Sequence, residues 1–443
     1  MLALPQKFKD KMKDLLAEEY EAFLSCYNEP HVRGIRINPL KCDLERLQSA
    51  LPFPLQPSPF SPMSYSIPAD APKVGHLPMH HAGAFYSQEP SAASAVTALN
   101  PQPGEVVLDL CAAPGGKSTQ IASLLAGQGL LWCNEIVKGR ANVLLSNIER
   151  MGVKNAVVSS CHPETLCEGL AGFFDKVLVD APCSGEGMFR RDEQAVLDWS
   201  QEHVETCAAR QLAILQSAAQ ALKENGILVY STCTFSREEN EGVVSAFLQK
   251  RDDFALLDAK LNFGRPAFLP QARRIFPMDG GEGHFVAVLQ RLSKNDVYPA
   301  PYSSQGISGN DPIHKFYSEL FNISPSGKID QVGKNIFVLP NNLPVLKGLG
   351  VIRAGVLLGE RKPNRMEPAH AAFMAAKPEE LRSVVSFSHD SPEIAAFLRG
   401  EEIAVESNLK GYTGVAVDQV MTGFGKCSNG RLKNHYPKGL RNK

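Results

Sequence analysis

Between residues 104 and 250 the chain alternates short apolar runs with helix-like stretches, and that rhythm constrains the fold more than any other feature. The runs are VVLDL (106–110), LLWCNE (130–135), AVVSS (156–160), KVLVDAP (176–182) and ILVYSTC (227–233). Between them lie segments such as STQIASLLA and the long HVETCAARQLAILQSAAQALK. Strands that alternate with helices predict an α/β chain with a Rossmann-like, doubly wound parallel sheet. HFVAVLQRL (284–292) reads as one further strand. The order of the strands is not readable from sequence.

The flanks differ. FKDKMKDLLAEEYEAFLSCY places Phe8, Met12, Leu15, Leu16, Tyr20 and Phe23 near a 3.6-residue period, so the N-terminus is predicted helical. Nine prolines from Pro52 to Pro90 predict an irregular connector there. Residues 293–312 are rich in Ser, Gly, Asn and Pro and read as a linker. Beyond it, NIFVLP, VIRAGVLLGE and GYTGVAVDQV predict a separate α/β unit. The expected division is an N-terminal extension (1–90), a doubly wound domain (91–292), the linker (293–312) and a C-terminal region (313–443).

With 44% hydrophobic and 21% charged residues, global disorder is excluded. Lys plus Arg is 46 against 47 for Asp plus Glu, which excludes a uniformly basic nucleic-acid coat. The balance is uneven, however: residues 424–443 carry Lys426, Arg431, Lys433, Lys438, Arg441 and Lys443 with no acid. No signal peptide or apolar run of membrane-spanning length is apparent. The ten cysteines form no Cys-x-x-Cys pair, which fits a reducing cytoplasm rather than a disulfide framework or a zinc ribbon.

Two ligands compete for the turn after the first predicted strand. Gly116-Lys117-Ser118 resembles the end of a phosphate-binding P-loop, but that motif needs glycine where Cys111 stands, and Pro114 stiffens the would-be cradle. The small residues Cys111, Ala112, Ala113, Pro114, Gly115 and Gly116 instead suit close approach of an adenosine-containing cofactor. Glu135, 26 residues after Asp109, stands where an acid takes a ribose hydroxyl. Together these favour S-adenosylmethionine.

DAPCSG (180–185) and STCT (231–234) each place a cysteine just beyond a predicted strand end, where this architecture binds ligands. Cys26, Cys42, Cys133, Cys167 and Cys207 read as small buried hydrophobes. Two thiols, an acid and a methyl donor fit methylation of a pyrimidine at C5. A thiolate adding to C6 makes C5 nucleophilic, and its later expulsion restores the ring. Asp180 is placed to act as an acid at N3, and Lys117 to lower a thiol pKa. The residues alone leave open which of Cys183 and Cys233 attacks.

At these motifs the chain resembles the RsmB/RsmF/Sun family of RNA cytosine-5 methyltransferases, in its RsmF-type branch. CAAPGGK (111–117) is similar to the family's cofactor loop, and Asn134, Glu135 and Arg140 to its ribose segment. DAPCSGEGMFRRD is similar to its aspartate–cysteine motif and STCTFSREENE to its nucleophile motif. RGIRINPLK (33–41), GAFYSQEPSA (83–92) and GFGK…NGRLKNHYPKGLR (423–441) match further segments. The resemblance implies Cys233 as nucleophile, Cys183 in product release, Asp180 on base and cofactor, and Lys117 at the catalytic centre. It also implies an RRM-like character for the N-terminal extension and a PUA-like RNA-binding C-terminus. The usual acidic residue near the cofactor adenine is replaced by Cys161-His162, so His162 is the candidate for that contact.

The expected partner is RNA, with small-subunit ribosomal RNA implied by the resemblance; DNA, membrane and metal are not expected, and the chain is read as a monomer. A flipped or single-stranded base would be needed to expose C5 and C6. Arg190 and Arg191 are candidates for phosphates beside that base, and Lys426, Arg431, Lys433, His435, Tyr436, Lys438 and Arg441 for contacts from the tail. The alternatives are a P-loop-like NTPase and a catalytically inactive RNA-binding assembly factor.

Overall fold

The computed structural model describes residues 3–293, 297–303, 307–308 and 310–442. Part of the expected linker therefore lies outside the described residues. The apolar runs form a large sheet whose order is 284–291, 222–232, 174–180, 106–109, 130–134, 156–159 and 351–354. The five strands between 106 and 232 are mutually parallel; His284–Arg291 runs antiparallel to Leu222–Thr232. Both faces are covered. Leu108, Trp132, Val177 and Tyr230 pack with Leu215, Val244 and Phe247 on one side. Val107, Leu131, Leu178 and Val229 pack with Ile121, Leu144 and Ile148 on the other. This continuous burial is why these strands read as unbroken apolar runs. The strand order reverses between 106–109 and 174–180, which opens a crevice at their carboxyl ends.

One expectation for the flanks needs correction. The proline-rich stretch is not irregular throughout. Gln56–Pro57, Ser64–Ile67 and Phe85–Ser87 join Arg33–Ile37 in an antiparallel sheet, their prolines falling at strand ends and in turns. The predicted helical N-terminus is Gln6–Leu16 and Tyr20–Ser25, with Phe8, Met12, Leu16 and Phe23 buried. These aromatic side chains pack against Phe189, Trp199 and Phe235, close to the two cysteine motifs.

The C-terminal region packs closely on the rest of the chain. Val351–Ala354 pairs antiparallel with Ala156–Ser159 and so completes the edge of the large sheet. VIRAGVLLGE hides this because it is two strands, turned apart at Gly355, where φ is +66°. The five-stranded sheet built from 384–387, 403–404, 411–417, 420–428 and 431–434 shares one apolar core with the N-terminal sheet. Ile35, Leu47 and Phe85 meet Ile394, Phe397, Val415 and Leu432 in that core.

One buried cation couples the N-terminal sheet to the crevice. Arg36 is fully buried and donates to the carbonyl of Gly116, to Gln88 Oε1 at 2.9 Å and to Thr119 Oγ1 at 2.6 Å. Removing it takes a donor from three acceptors. Arg36→Met is expected to lower stability by about 2–4 kcal/mol, read by denaturant unfolding. It should also weaken cofactor binding through the displaced 116–119 turn.

Candidate active site

The turn after Val106–Asp109 enters the Gly116–Leu125 helix through Gly115, whose φ of +114° is costly for any residue with a Cβ. That bend brings Lys117 back across the crevice, where its Nζ lies 2.7 Å from Asp180 Oδ2 at the end of the fourth strand. Asp180 Oδ1 accepts from Ser231 Oγ at 2.8 Å. Burial alone would raise the Asp180 pKa, but Lys117, reinforced by the Ser231 hydrogen bond, holds it below the ordinary carboxylate value. Burial likewise opposes the Lys117 ammonium, and Asp180 outweighs it, so the Lys117 pKa is raised. The resting pair is ionised. The resting proton is on Lys117.

The two cysteine motifs converge, with Cys183 Sγ 3.2 Å from Cys233 Sγ. Their shared hydrogen bond separates the two thiols. It lowers the Cys233 pKa, and with burial it raises that of Cys183 well above normal. Burial and Asp180 work against the Cys233 thiolate, while Lys117 and Arg191 support it. Cys111, also in the crevice, is pushed well up by burial.

Two buried glutamates tie the motifs together. Glu239 accepts from the Ser184 backbone at 2.9 Å, from the Ser184 hydroxyl and from Gln211 Nε2 at 2.8 Å. Glu186 accepts from Thr234 Oγ1, the Phe235 backbone and Trp199 Nε1, each at 2.9 Å. Each carboxylate bridges the loop of one cysteine to that of the other. Sequence reasoning missed both, although the acids of SREENE and SGEGM beside each cysteine were visible. It also missed His284, a lone histidine opening an apolar strand.

Two cavities meet at this centre. The larger, 910 Å³, is lined by Cys111, Ala113, Glu135, Ile136, Arg140, His162, Pro163, Asp180, Cys183 and Cys233. The smaller, 570 Å³, is lined by Tyr86, Asp109, Ala112, Pro114, Gly116, Lys117, Arg191 and His284, with Asp180 and Cys233 shared between the two. Glu135 is buried; its Oε1 accepts from the Val137 backbone at 2.9 Å, and its Oε2 lies 3.3 Å from Arg140. Arg140 also donates to the Ala113 carbonyl, bracing the loop. The larger cavity thus offers a carboxylate at a strand end, small residues and apolar walls. That donor set fits an adenosine whose linker carries no phosphate. His162 lies on its wall.

Two expected RNA contacts are corrected. Arg190 is buried in an ion pair with Glu282 at 2.9 Å and donates to the carbonyls of Glu29 and Pro30, so it fastens the N-terminal segment. Tyr436 is 3% exposed, packed on Phe397 and His370 and bonded to His81 Nδ1 at 2.8 Å. It anchors the tail and offers no ring to a base. Arg441 donates to the Tyr436 carbonyl and packs on Gly400. Arg431 pairs with Glu402 on the surface. Lys426 lies 5.4 Å from the Tyr412 ring centroid, and His435 is exposed with its ring 5.1 Å from that of Phe424. Lys433 is exposed, as is Lys438. Arg191, by contrast, lines the smaller cavity.

The sequence family described as 16S rRNA methyltransferase RsmB/F matches residues 96–290. The RsmF N-terminal domain matches 4–90, the first RsmF C-terminal domain 315–375 and the RsmF PUA domain 384–442. Ribosomal RNA small subunit methyltransferase F of Vibrio vulnificus is 34% identical, covering 99% of this chain and 97% of that protein. The chain belongs to the RsmB/F methyltransferase family. Among solved structures, PH0851 is similar at 30% identity and a TM-score of 0.62, covering 65% of this chain and 66% of that one. A methyltransferase homologue from Pyrococcus horikoshii follows at 29% and 0.58, covering 65% and 95%.

For an RsmB/F methyltransferase the cofactor is S-adenosylmethionine, and the larger cavity has the groups to hold it. Membership answers the NTPase alternative. Among the described residues no helix is long and apolar enough to cross a membrane, and no cluster of three His, Cys, Asp or Glu could hold a metal.

Proposed function

We propose that this RsmB/F enzyme methylates C5 of a cytosine in small-subunit (16S) ribosomal RNA through a covalent bond between Cys233 and C6. The observation that carries this is placement: Cys233 lines both cavities and Cys183 only the larger, the two sulfurs 3.2 Å apart beside the Lys117–Asp180 pair. A thiolate at that junction can reach a base in the smaller cavity from the cofactor side. Such a cavity admits a base only when it is out of its helix.

In this reading the Cys233 sulfur adds to C6 while N3 takes the proton held by Lys117, passed through Asp180. When bound, S-adenosylmethionine supplies the electrophilic methyl group. Once Cys233 is bonded to carbon, Cys183 no longer faces a sulfur anion, and the main cause of its raised pKa is removed. Cys183 then passes its proton to the Lys117 amine, which the first step left neutral, takes the C5 proton as a thiolate and lets the C5–C6 double bond reform as Cys233 leaves, the N3 proton going to solvent as the one net proton released. Glu135 and Arg140 would hold the ribose end of the cofactor, the 111–116 turn its amino-acid end and His162 the rim near the adenine. Arg191 faces the target phosphate, with Lys426, Lys433, His435 and Lys438 offering further RNA contacts from the C-terminal sheet. The catalytic unit comprises the N-terminal extension, 1–90, and the methyltransferase domain, 91–292.

The test is bisulfite sequencing of 16S ribosomal RNA from a strain lacking the gene, with the purified protein added back. We expect protected cytosines to disappear in the deletion and return on addition of protein and S-adenosylmethionine. An unchanged pattern, or methyl label on an atom other than cytosine C5, defeats the proposal. An assembly factor without activity would show no label at all.

A further inference from the structure

One polar group in the smaller cavity has no task in this chemistry. His284 is 6% exposed, and its ring lines that cavity beside Lys117, Asp180 and Arg191. Its Nδ1 lies 3.2 Å from Ser91 Oγ. The Ser91 hydroxyl has a single hydrogen, which it donates to Glu89 Oε2 at 2.6 Å. Glu89 also accepts from the backbones of Ser91 and Ala92, which fixes its carboxylate as an acceptor. Nδ1 must therefore carry the ring hydrogen, and Nε2 is left as a bare acceptor. No hydrogen bond from the described residues reaches Nε2. Burial, reinforced by Lys117, keeps the ring neutral, with a pKa lowered to about 3. Asp180, the carboxylate next to it, already has an oxygen on Lys117 and the other on Ser231.

We propose that His284 Nε2 accepts a hydrogen bond from the target nucleotide and so selects for a donor at that point. The inference rests on the pyrimidine methyltransferase reading above. The nucleotide has two such donors, the exocyclic amine of cytosine and the ribose 2′-hydroxyl. Against a bare Nε2, uracil would set a second acceptor at its O4, and a deoxyribose would leave the nitrogen unpaired. A site built around such a bond rejects the analogue lacking it far more strongly than an apolar wall does.

The experiment uses the full-length protein and an RNA carrying the mapped target as cytidine, as 2′-deoxycytidine, or as the riboside of 2-pyrimidinone, which lacks the amine. His284→Asn keeps a donor toward Ser91 and removes the Nε2 position; His284→Gln keeps an acceptor near it. For the wild type, kcat/KM is expected to fall about 10–100-fold on one analogue. His284→Asn should show that loss already on cytidine and lose nothing further on the same analogue, while His284→Gln regains part of it. The intrinsic reactivity of each analogue enters all the enzymes alike and cancels in the comparison. The analogue that shows the coupling names the donor, amine or hydroxyl. Losses that simply multiply on both analogues, or His284→Asn acting like the wild type on all three RNAs, overturn the assignment. If His284→Asn does not fold by circular dichroism, His284→Phe takes its place in the same comparison. A wild type that methylates no cytidine RNA instead overturns the underlying reading.

Discussion

Replacing Cys233 by alanine is expected to reduce methyl transfer by at least about 10³-fold, because no other described sulfur occupies the junction between the two cavities with a lowered pKa. Cys183→Ala should behave differently, in two ways that partly oppose each other. It removes the S–H that stabilises the Cys233 thiolate at 3.2 Å, so the adduct forms more slowly. It also removes the group that takes the C5 proton, so the adduct, once formed, persists. A denaturing gel should show a protein–RNA species that accumulates late and then stays. Cys183→Ser, which keeps a donor, should form it faster than the alanine variant. Full activity in Cys233→Ala would reverse the roles of the two thiols, and a stable adduct in the double alanine variant would remove both from the mechanism.

Lys117→Met is expected to cost about 10²–10³-fold in kcat and to change its pH dependence. Lys117 lowers the Cys233 pKa and, by pairing, holds Asp180 below the ordinary carboxylate value. Without the ammonium, burial and the Asp180 charge are left to raise the thiol pKa. The fraction of thiolate then falls at neutral pH. The acid limb of the rate profile must move to higher pH, by about a unit or more. Because the carboxylate has lost its partner, its own pKa rises as well. Lys117→Arg should keep the charge and much of the shift, though not the geometry. An acid limb that stays in place in Lys117→Met would mean that the cation does not act on the thiol.

The parallel strands were legible because strands covered on both faces cannot alternate with polar residues, and VVLDL, KVLVDAP and ILVYSTC do not. The converging cysteines were legible because both follow strand ends at the same edge of a sheet. What escaped were pairings across sequence. Arg190 reads as a free cation until Glu282, 92 residues on, is placed beside it. Tyr436 reads as a stacking platform until His81 and Phe397 close over it. His284 gave no signal, since a histidine at the start of an apolar strand most often has a structural role. The assignment between the thiols came from family resemblance, and what the fold adds is that Cys233 lines both cavities while Cys183 lines only the larger.

The strand at Val351–Ala354 also bears on how the chain is made. During synthesis, everything needed for the cofactor crevice has emerged well before residue 351, yet the outer edge at Ala156–Ser159 still lacks its neighbour. An open edge of this kind is a template for wrong pairings between nascent chains. The Gly350 carbonyl accepts from the Ser160 backbone at 2.8 Å, directly before the Cys161-His162 rim. The last third of the chain therefore finishes the large sheet late, because the edge beside the Cys161-His162 rim gains its neighbour only after that segment has left the ribosome.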